Sequence, residues 1–281
     1  GWMYETWHPH CDDPNRVKGR INYTVWSEVQ ACPSCSQEIV FSDEALDSSS
    51  GHIRDKFDCP YCGVQLKKEQ LELLFETRYD QSTGESIKSP RRKPVLINYS
   101  LGKRKIEKRP DACDLEILER IESLGLPTEV PVLKLPDMQM ARVGRMKTTG
   151  VQYIHQYFLP RPAQSLSAIW RQVNLCENKQ LRNFLRFYFE QAIWGMSILN
   201  RYSPSHFSQV NRALSGVFYV ASQISEVSAW YNLGGKLQRL VKAFRKYELE
   251  SGNTIISTEN LGSIELPDNS VDYVFTDPPF G

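Results

Sequence analysis

Two short cysteine motifs constrain the fold of this 281-residue chain more than any other feature. One C-x-x-C pair joins Cys32 with Cys35, the other joins Cys59 with Cys62, and 23 residues separate the pairs. Two such pairs about 15–20 residues apart are typical of a tetrahedral zinc site, and this spacer is only slightly longer. A proline follows the first cysteine of each pair and favours the tight turns that direct two thiolates at one ion. The sequence therefore predicts a zinc ribbon.

Other uses of paired cysteines fit this sequence less well. Disulfides persist mainly in secreted proteins, and the N-terminus shows no secretion signal. A redox role for either C-x-x-C is also disfavoured, because two pairs at ribbon spacing would then be a coincidence. Four cysteine ligands leave no open position on the ion, so we expect the zinc to be structural.

The composition places the chain among globular proteins. Hydrophobic residues make up 41% of it and charged residues 24%, which is sufficient for a buried core. The longest apolar region, residues 187–199, contains Glu190 and Gln191 and is too short to span a bilayer. With no visible signal peptide, these features predict a soluble cytoplasmic protein without a membrane segment.

The net charge of +1 implies no partner, but the charge is unevenly distributed. Residues 81–110 contain nine Lys and Arg against two acids, whereas acids outnumber basic residues in 1–80. Such a density of basic residues is typical of an anion-binding surface, although a solvated basic loop explains it equally well. The candidate nucleic-acid-binding residues are Arg91, Arg92, Lys93, Lys103, Arg104 and Lys105.

Hydrophobic patterning and turn residues predict the remaining elements. In the first half we expect strands over 21–26 and 38–41, a helix over 65–75, a hairpin of 94–100 with 104–107, and a helix from 110 to about 123. In the second half we expect a strand over 151–158, helices over 165–174 and 179–200, a strand within 215–224, an amphipathic helix around 237–244, and strands over 254–257 and 271–276. The apolar stripe of 179–200 is expected in the core.

These elements suggest three segments. Residues 1–110 hold the zinc ribbon and the basic hairpin, and residues 111–150 hold a helix and a linker. Residues 151–281 form a helical and α/β portion, in which 271–276 is expected to be a buried strand.

The residues after that last predicted strand have the clearest chemical use. They are Asp277, Pro278, Pro279 and Phe280. Ligands of α/β sheets lie just beyond the carboxyl ends of the strands. Prolines fix φ and lack an N–H, so the neighbouring carbonyl is held and directed outward. Asp277 and that carbonyl can both accept hydrogen bonds from an exocyclic amine, and Phe280 can stack on the base that carries it.

The motif and its surroundings resemble a known enzyme family. Asp-Pro-Pro-Phe after LPDNSVDYVFT resembles the catalytic motif of S-adenosylmethionine-dependent amino-methyltransferases that act on DNA. The stretches GWMYET, RINYTVWSEV, PVLINYSLGKRK and KRPDACDL are similar to a bacterial and archaeal group of adenine-specific DNA methylases with an inserted zinc ribbon. The resemblance implies a Rossmann-like α/β methyltransferase portion that carries an inserted, mostly β zinc-ribbon domain.

The resemblance also implies the reaction, a DNA methylation of the restriction-modification kind. A methyl group passes from S-adenosylmethionine to the exocyclic amine of a base flipped out of double-stranded DNA. Asp277 and the Pro278 carbonyl orient the amine, and Phe280 stacks on the ring. An acid at the first motif position favours adenine N6 over cytosine N4. The family's glycine-rich cofactor loop does not occur in this sequence, so we expect a fragment that is inactive alone, and its cofactor-binding residues stay unassigned.

Two alternatives remain open from the sequence. Related tetrapeptides act on guanine N2 and on glutamine amides, so an RNA or protein amino-methyltransferase is the first. The second is a non-catalytic zinc-ribbon module that binds nucleic acid, in which residues 277–281 form a structural turn.

Overall fold

A computed structural model describes residues 1–45, 47, 54–137, 139, 144–203, 219–246, 260, 262–263 and 266–276. The chain divides into two compact units, Gly1–Leu240 and Val241–Gly281. The first unit is a mixed α/β fold around a seven-stranded sheet in which every pairing is antiparallel. The Rossmann-like portion expected from the resemblance stays a prediction.

The strands are β1 Glu5–His8, β2 Val17–Ala31, β3 Glu38–Val40, β4 Phe57–Asp58, β5 Gln65–Leu66, β6 Glu72–Leu73, β7 Phe75–Asp80, β8 Glu85–Pro90, β9 Arg92–Leu101, β10 Arg104–Lys108 and β11 Gln223–Val227. The helices are α1 Phe41–Glu44, α2 Ala112–Glu122, α3 Gly144–Thr149, α4 Pro160–Asn174, α5 Lys179–Ile193 and α6 Ala229–Lys246. Short 3₁₀ turns occupy Trp2–Tyr4, Lys68–Gln70, Ile154–Tyr157 and Trp194–Met196.

Strand β2 organises the sheet, because five other strands pair with it. Its residues 17–20 pair with β1 and its residues 20–28 pair with β9. Residues 23–27 also pair with β11, and the end of the strand pairs with β3 and β6. Since β11 comes from the segment after residue 150, the sheet joins residues of the first and third predicted segments.

Both faces of β2 are buried. One face contributes Tyr23 and Val25 to an apolar cluster with Val227 of β11. The opposite face carries Thr24 and Glu28, which are polar and yet almost fully buried. The alternation of apolar and polar residues in this strand therefore does not separate core from solvent.

Four predicted elements of the first half are confirmed. The strand over 21–26 lies within β2, and the strand over 38–41 forms as β3, one residue shorter than predicted. The hairpin forms as β9 and β10, and Gly102 at its turn has a φ of +60°, which a residue with a side chain rarely adopts. Helix α2 begins after Asp111, whose side chain accepts a hydrogen bond from the backbone N–H of Asp114, and Ser123 is its C-cap.

The predicted helix over 65–75 is wrong. This stretch forms β5, the 3₁₀ turn Lys68–Gln70 and β6, and it leads into β7. Strand β5 pairs with β4, and β6 pairs with the end of β2. The partner strands supply the backbone hydrogen bonds, and tertiary pairing therefore outweighs the helical propensity of the sequence.

Several predictions for the second half need correction. Residues 151–158 form a 3₁₀ turn and not a strand, apart from one bridge between Lys134 and Tyr153. Helix α4 begins five residues earlier than predicted, with prolines in its first turn. The helix predicted to reach residue 200 ends at Ile193. Part of its apolar stripe is exposed, with Leu181 at 49% and Phe187 at 47%.

The predicted strand over 215–224 is displaced, because β11 starts at Gln223, and residues 215–218 lie outside the described part of the chain. The amphipathic helix around 237–244 is confirmed within α6. Residues 271–276 are irregular and exposed, with Tyr273 and Phe275 both at 79%, so the predicted buried strand is wrong there. Residues that favour strands form one only when a neighbouring strand supplies backbone partners, and no described segment pairs with residues 271–276. The strand predicted over 254–257 lies outside the described residues.

No helix in the described part of the chain is both long enough and apolar enough to cross a bilayer.

Candidate metal centre

The four cysteines of the two C-x-x-C motifs come together at the end of β2. Their sulfur atoms all lie within 4.8 Å of one another. The Sγ atoms of Cys32 and Cys62 are 3.9 Å apart, and those of Cys35 and Cys59 are 3.7 Å apart. A tetrahedral zinc ion with Zn–S bonds of about 2.3 Å requires sulfurs about 3.8 Å apart. The spacing therefore fits one tetrahedral ion held by four thiolates.

The two motifs adopt the same backbone turn. In the first, the N–H of Cys32 donates to the carbonyl of Gln37 at 3.0 Å, and the N–H of Ser36 donates to the carbonyl of Cys32 at 2.9 Å. In the second, Cys59 pairs in the same way with Val64 and Gly63, both at 2.9 Å. This repetition places both halves of the site in equivalent positions around the sulfurs.

The fourth residue after the first cysteine has a positive φ in both turns. It is Gly63 with a φ of +72° in the second turn and Ser36 with a φ of +57° in the first. Only glycine adopts this region without a steric cost. The sequence has a glycine at this position in one turn only, so the sequence alone does not indicate that the two turns are equivalent.

A small apolar core lies against the cluster. Ile39, Phe41, Phe57 and Leu66 are all buried there together with Cys32 and Cys59. Strands β3, β4 and β5 and helix α1 each supply one of these four side chains. A core of this size gives little independent stability, which is why small modules of this kind depend on metal for folding.

Local electrostatics prepare one thiol for metal binding. Burial raises the pKa of Cys59, but the backbone N–H groups of Tyr61 and Cys62 and the neighbouring thiols lower it to about 7. A thiol that loses its proton near neutral pH is a competent metal ligand, since thiolate is the binding form. Four cysteine ligands close the coordination sphere of a single ion, so the arrangement supports a structural role and offers no position for substrate.

The structure divides the predicted basic surface into two groups. Arg91 and Lys93 both contact the Glu38 carboxylate, and Arg92, whose side chain is only 10% exposed, pairs with the fully buried Glu28. These three residues are therefore occupied by acids of the chain itself.

The second group lies at the tip of the β9–β10 hairpin. Lys103, Arg104 and Lys105 are exposed there. Among the described residues, no carboxylate lies within ion-pair distance of Lys103 or Arg104, while Lys105 contacts the Tyr231 hydroxyl at 3.3 Å. Of the six candidate residues, those at the tip have charge available to an external anion.

The predicted catalytic residues Asp277, Pro278, Pro279 and Phe280 lie outside the described residues.

Buried ion pairs are the main feature that the sequence did not indicate. Glu28 contacts both Arg92 and Arg145, and Arg161 contacts Glu226. Arg161 and Glu226 are 65 positions apart in sequence, so no local pattern could have identified the pair.

A cavity of about 500 Å³ is a second feature that the sequence did not indicate. Its wall includes Asp80 and His155, and the Nε2 of His155 lies 2.6 Å from the Asp80 carboxylate. This contact holds the pKa of Asp80 below its usual range, against the opposing effect of burial. The Nδ1 of His155 is buried and has no hydrogen-bond partner among the described residues.

No protein-family model, curated protein or solved structure matches this chain.

Proposed function

We propose that this chain belongs to an S-adenosylmethionine-dependent DNA methyltransferase that modifies the exocyclic amine of a flipped base, with adenine N6 as the favoured target. The proposal rests on the Asp277–Phe280 motif together with the zinc-ribbon motif at residues 32–62. The structural observation that supports the zinc-ribbon part of the proposal is the set of four cysteine sulfurs at tetrahedral spacing.

Each part of the chain has a separate role in this proposal. The four cysteines hold one Zn²⁺, which stabilises the end of β2 and takes no part in the reaction. The hairpin tip at Lys103 and Arg104 contacts DNA phosphates, because its positive charge is not balanced by described acids. Such contacts position the protein on the duplex without reading its sequence.

In the proposed reaction the motif residues handle the target base. S-adenosylmethionine supplies the methyl group when it is bound. Asp277 and the Pro278 carbonyl accept hydrogen bonds from the exocyclic amine and orient its lone pair along the line of transfer. Phe280 stacks on the extruded ring, a contact worth about 1–3 kcal/mol in single-strand binders. Alignment and electrostatic stabilisation then supply the rate gain.

The test is methyl transfer by the complete gene product from radiolabelled S-adenosylmethionine. Double-stranded DNA, RNA of the same sequence and a protein extract are offered separately, and the labelled nucleoside is identified by mass spectrometry. We expect label in DNA as N6-methyladenine. Asp277→Ala should lower turnover about a hundredfold or more, because one amine acceptor is lost. Asp268→Ala, in the exposed turn at 266–270, is the matched control and should leave turnover unchanged.

Other outcomes separate the alternatives. Label in RNA or protein alone would replace DNA as the substrate. No transfer to any of the three, by protein that binds DNA and contains zinc, would favour the non-catalytic binding module.

A further inference from the structure

A second group of metal-ligating side chains lies on the first unit, separate from the four ribbon cysteines. The ligand atoms of Cys11, Asp111 and Cys113 all lie within 4.8 Å of one another, and the three residues are partly buried. Cys11 lies in the turn after β1, whereas Asp111 and Cys113 belong to the first turn of α2. About a hundred residues separate the two thiols in sequence, so the fold alone brings them together.

Hydrogen bonds hold this group in place. The backbone N–H of Cys11 donates to the Asp111 Oδ2 at 3.1 Å, and Lys108 donates to the same oxygen at 2.6 Å. The other oxygen, Oδ1, accepts from the backbone N–H of Asp114 at 3.2 Å. A carboxylate oxygen has two lone pairs, so one on Oδ1 remains open to a cation.

The residue before Cys11 supplies a fourth donor. His10 Nδ1 lies 3.9 Å from Asp111 Oδ2, and the His10 side chain is 57% exposed. His10 lies outside the group of mutually close ligand atoms, so its exposed side chain must rotate to complete a coordination shell. Two thiolates, a carboxylate and an imidazole are the donor types that zinc uses in proteins.

The local charge favours a divalent cation. Lys108 lies between Asp111 and Asp114, at 2.6 and 2.9 Å, and so balances one of these two carboxylates. Deprotonation of both thiols would add two further negative charges beside the remaining carboxylate. A bound dication compensates for them, and a thiophilic one is selected over Mg²⁺ or Ca²⁺, which prefer oxygen ligands.

We propose that Cys11, Asp111 and Cys113, completed by His10, form a second Zn²⁺ site that joins the loop after β1 to the start of α2. This site is independent of the ribbon and of the proposed methyl transfer. On binding, Zn²⁺ displaces the two thiol protons to solvent, and no oxidation takes place.

Metal content gives the first test. Protein purified without chelator from zinc-supplemented cells should contain two zinc ions per chain. Cys11→Ser with Cys113→Ser should leave one, whereas Cys176→Ser, at a cysteine in neither cluster, should leave two. One zinc in the wild-type chain, or two in the double variant, would overturn the proposal. Zinc affinity in a chelator competition should fall at least tenfold for His10→Ala, and an unchanged affinity would overturn the assignment of His10.

Alkylation gives a second test that needs no variant. Iodoacetamide is applied to the wild-type chain with bound zinc and after treatment with a chelator, and peptides are measured by mass spectrometry. We expect Cys11 and Cys113 to be protected only when zinc is present, with the ribbon cysteines as an internal reference. Equal alkylation of Cys11 and Cys113 in both samples would overturn the second site. Resistance to alkylation that disappears with a reductant instead of a chelator would identify a disulfide and also overturn it.

Discussion

The hairpin tip provides the sharpest test of the proposed contact with DNA. Lys103 and Arg104 have no described acid beside them, whereas Arg91 and Lys93 both contact Glu38. The change Lys103→Ala with Arg104→Ala therefore removes two charges that are available to phosphate. The pair Arg91→Ala with Lys93→Ala removes two charges from the same basic stretch that Glu38 already offsets, so it is the matched control.

The expected magnitude follows from the release of counterions. Each phosphate contact contributes about 0.9 to the slope of log affinity against log salt concentration. Loss of both tip contacts should therefore lower the slope by about 1.8. The ratio of wild-type affinity to tip-variant affinity should therefore fall about tenfold between about 50 and 200 mM salt. The control pair should change the slope by less than half as much, because its charges are shared with a carboxylate.

Fluorescence anisotropy with a labelled duplex over a salt series measures these slopes. Two duplexes of different sequence should give the same change, since phosphate contacts carry no sequence information. The reasoning is refuted if the tip variant keeps the wild-type slope, or if the control pair lowers it equally. Arg92 is left out of the control pair, because its loss would leave Glu28 buried with fewer partners.

Three further predictions concern stability, each measured by urea denaturation of the zinc-bound protein. Ser36→Gly should raise the free energy of unfolding by about 0.5 kcal/mol and Gly63→Ala should lower it by about 1 kcal/mol, since both positions have positive φ. If both changes shifted the free energy of unfolding in the same direction, the two turns would not be equivalent. Asp80→Asn should lower the free energy of unfolding by about 1–2 kcal/mol at pH 7. Because the folded pKa of Asp80 is lowered, its contribution is present above the unfolded value and disappears as the pH falls, so variant and wild type should converge in acid; a constant gap would exclude the pair with His155 as its cause. Arg161→Met should lower the free energy of unfolding by about 3–5 kcal/mol, because it leaves the buried Glu226 carboxylate without its cation. A decrease below about 1 kcal/mol would show that this ion pair is dispensable.

Local sequence signals predicted those elements that depend on local geometry. The cysteine pairs, the turn at Gly102 and the capping residue Asp111 each set backbone conformation within a few positions. The ribbon cluster, the β9–β10 hairpin and α2 form where these signals predict them. For the candidate metal centre, the spacing of the cysteines was sufficient to predict which side chains meet.

Predictions failed where the outcome depends on distant partners. Residues 65–75 have a helical pattern, yet they pair with β4 and β2, which are formed elsewhere in the chain. The stretch 271–276 has strand-forming residues but no described strand beside it. The pairing of Arg161 with Glu226 depends on how α4 lies over the sheet. Such contacts form only in the packed fold, and local sequence patterns do not reveal them.

The continuity of β2 has a consequence for the evolution and engineering of the ribbon. This strand has 15 residues and a length of about 50 Å, and it leads directly from the centre of the sheet into the first cysteine turn. No flexible tether separates the two parts, since β3 and β6 pair with the same strand just before Cys32. The ribbon is therefore not an interchangeable cassette. A graft that exchanges only the metal-binding loops must preserve the register of β2, because a slip of one residue would turn its buried side chains to the opposite face.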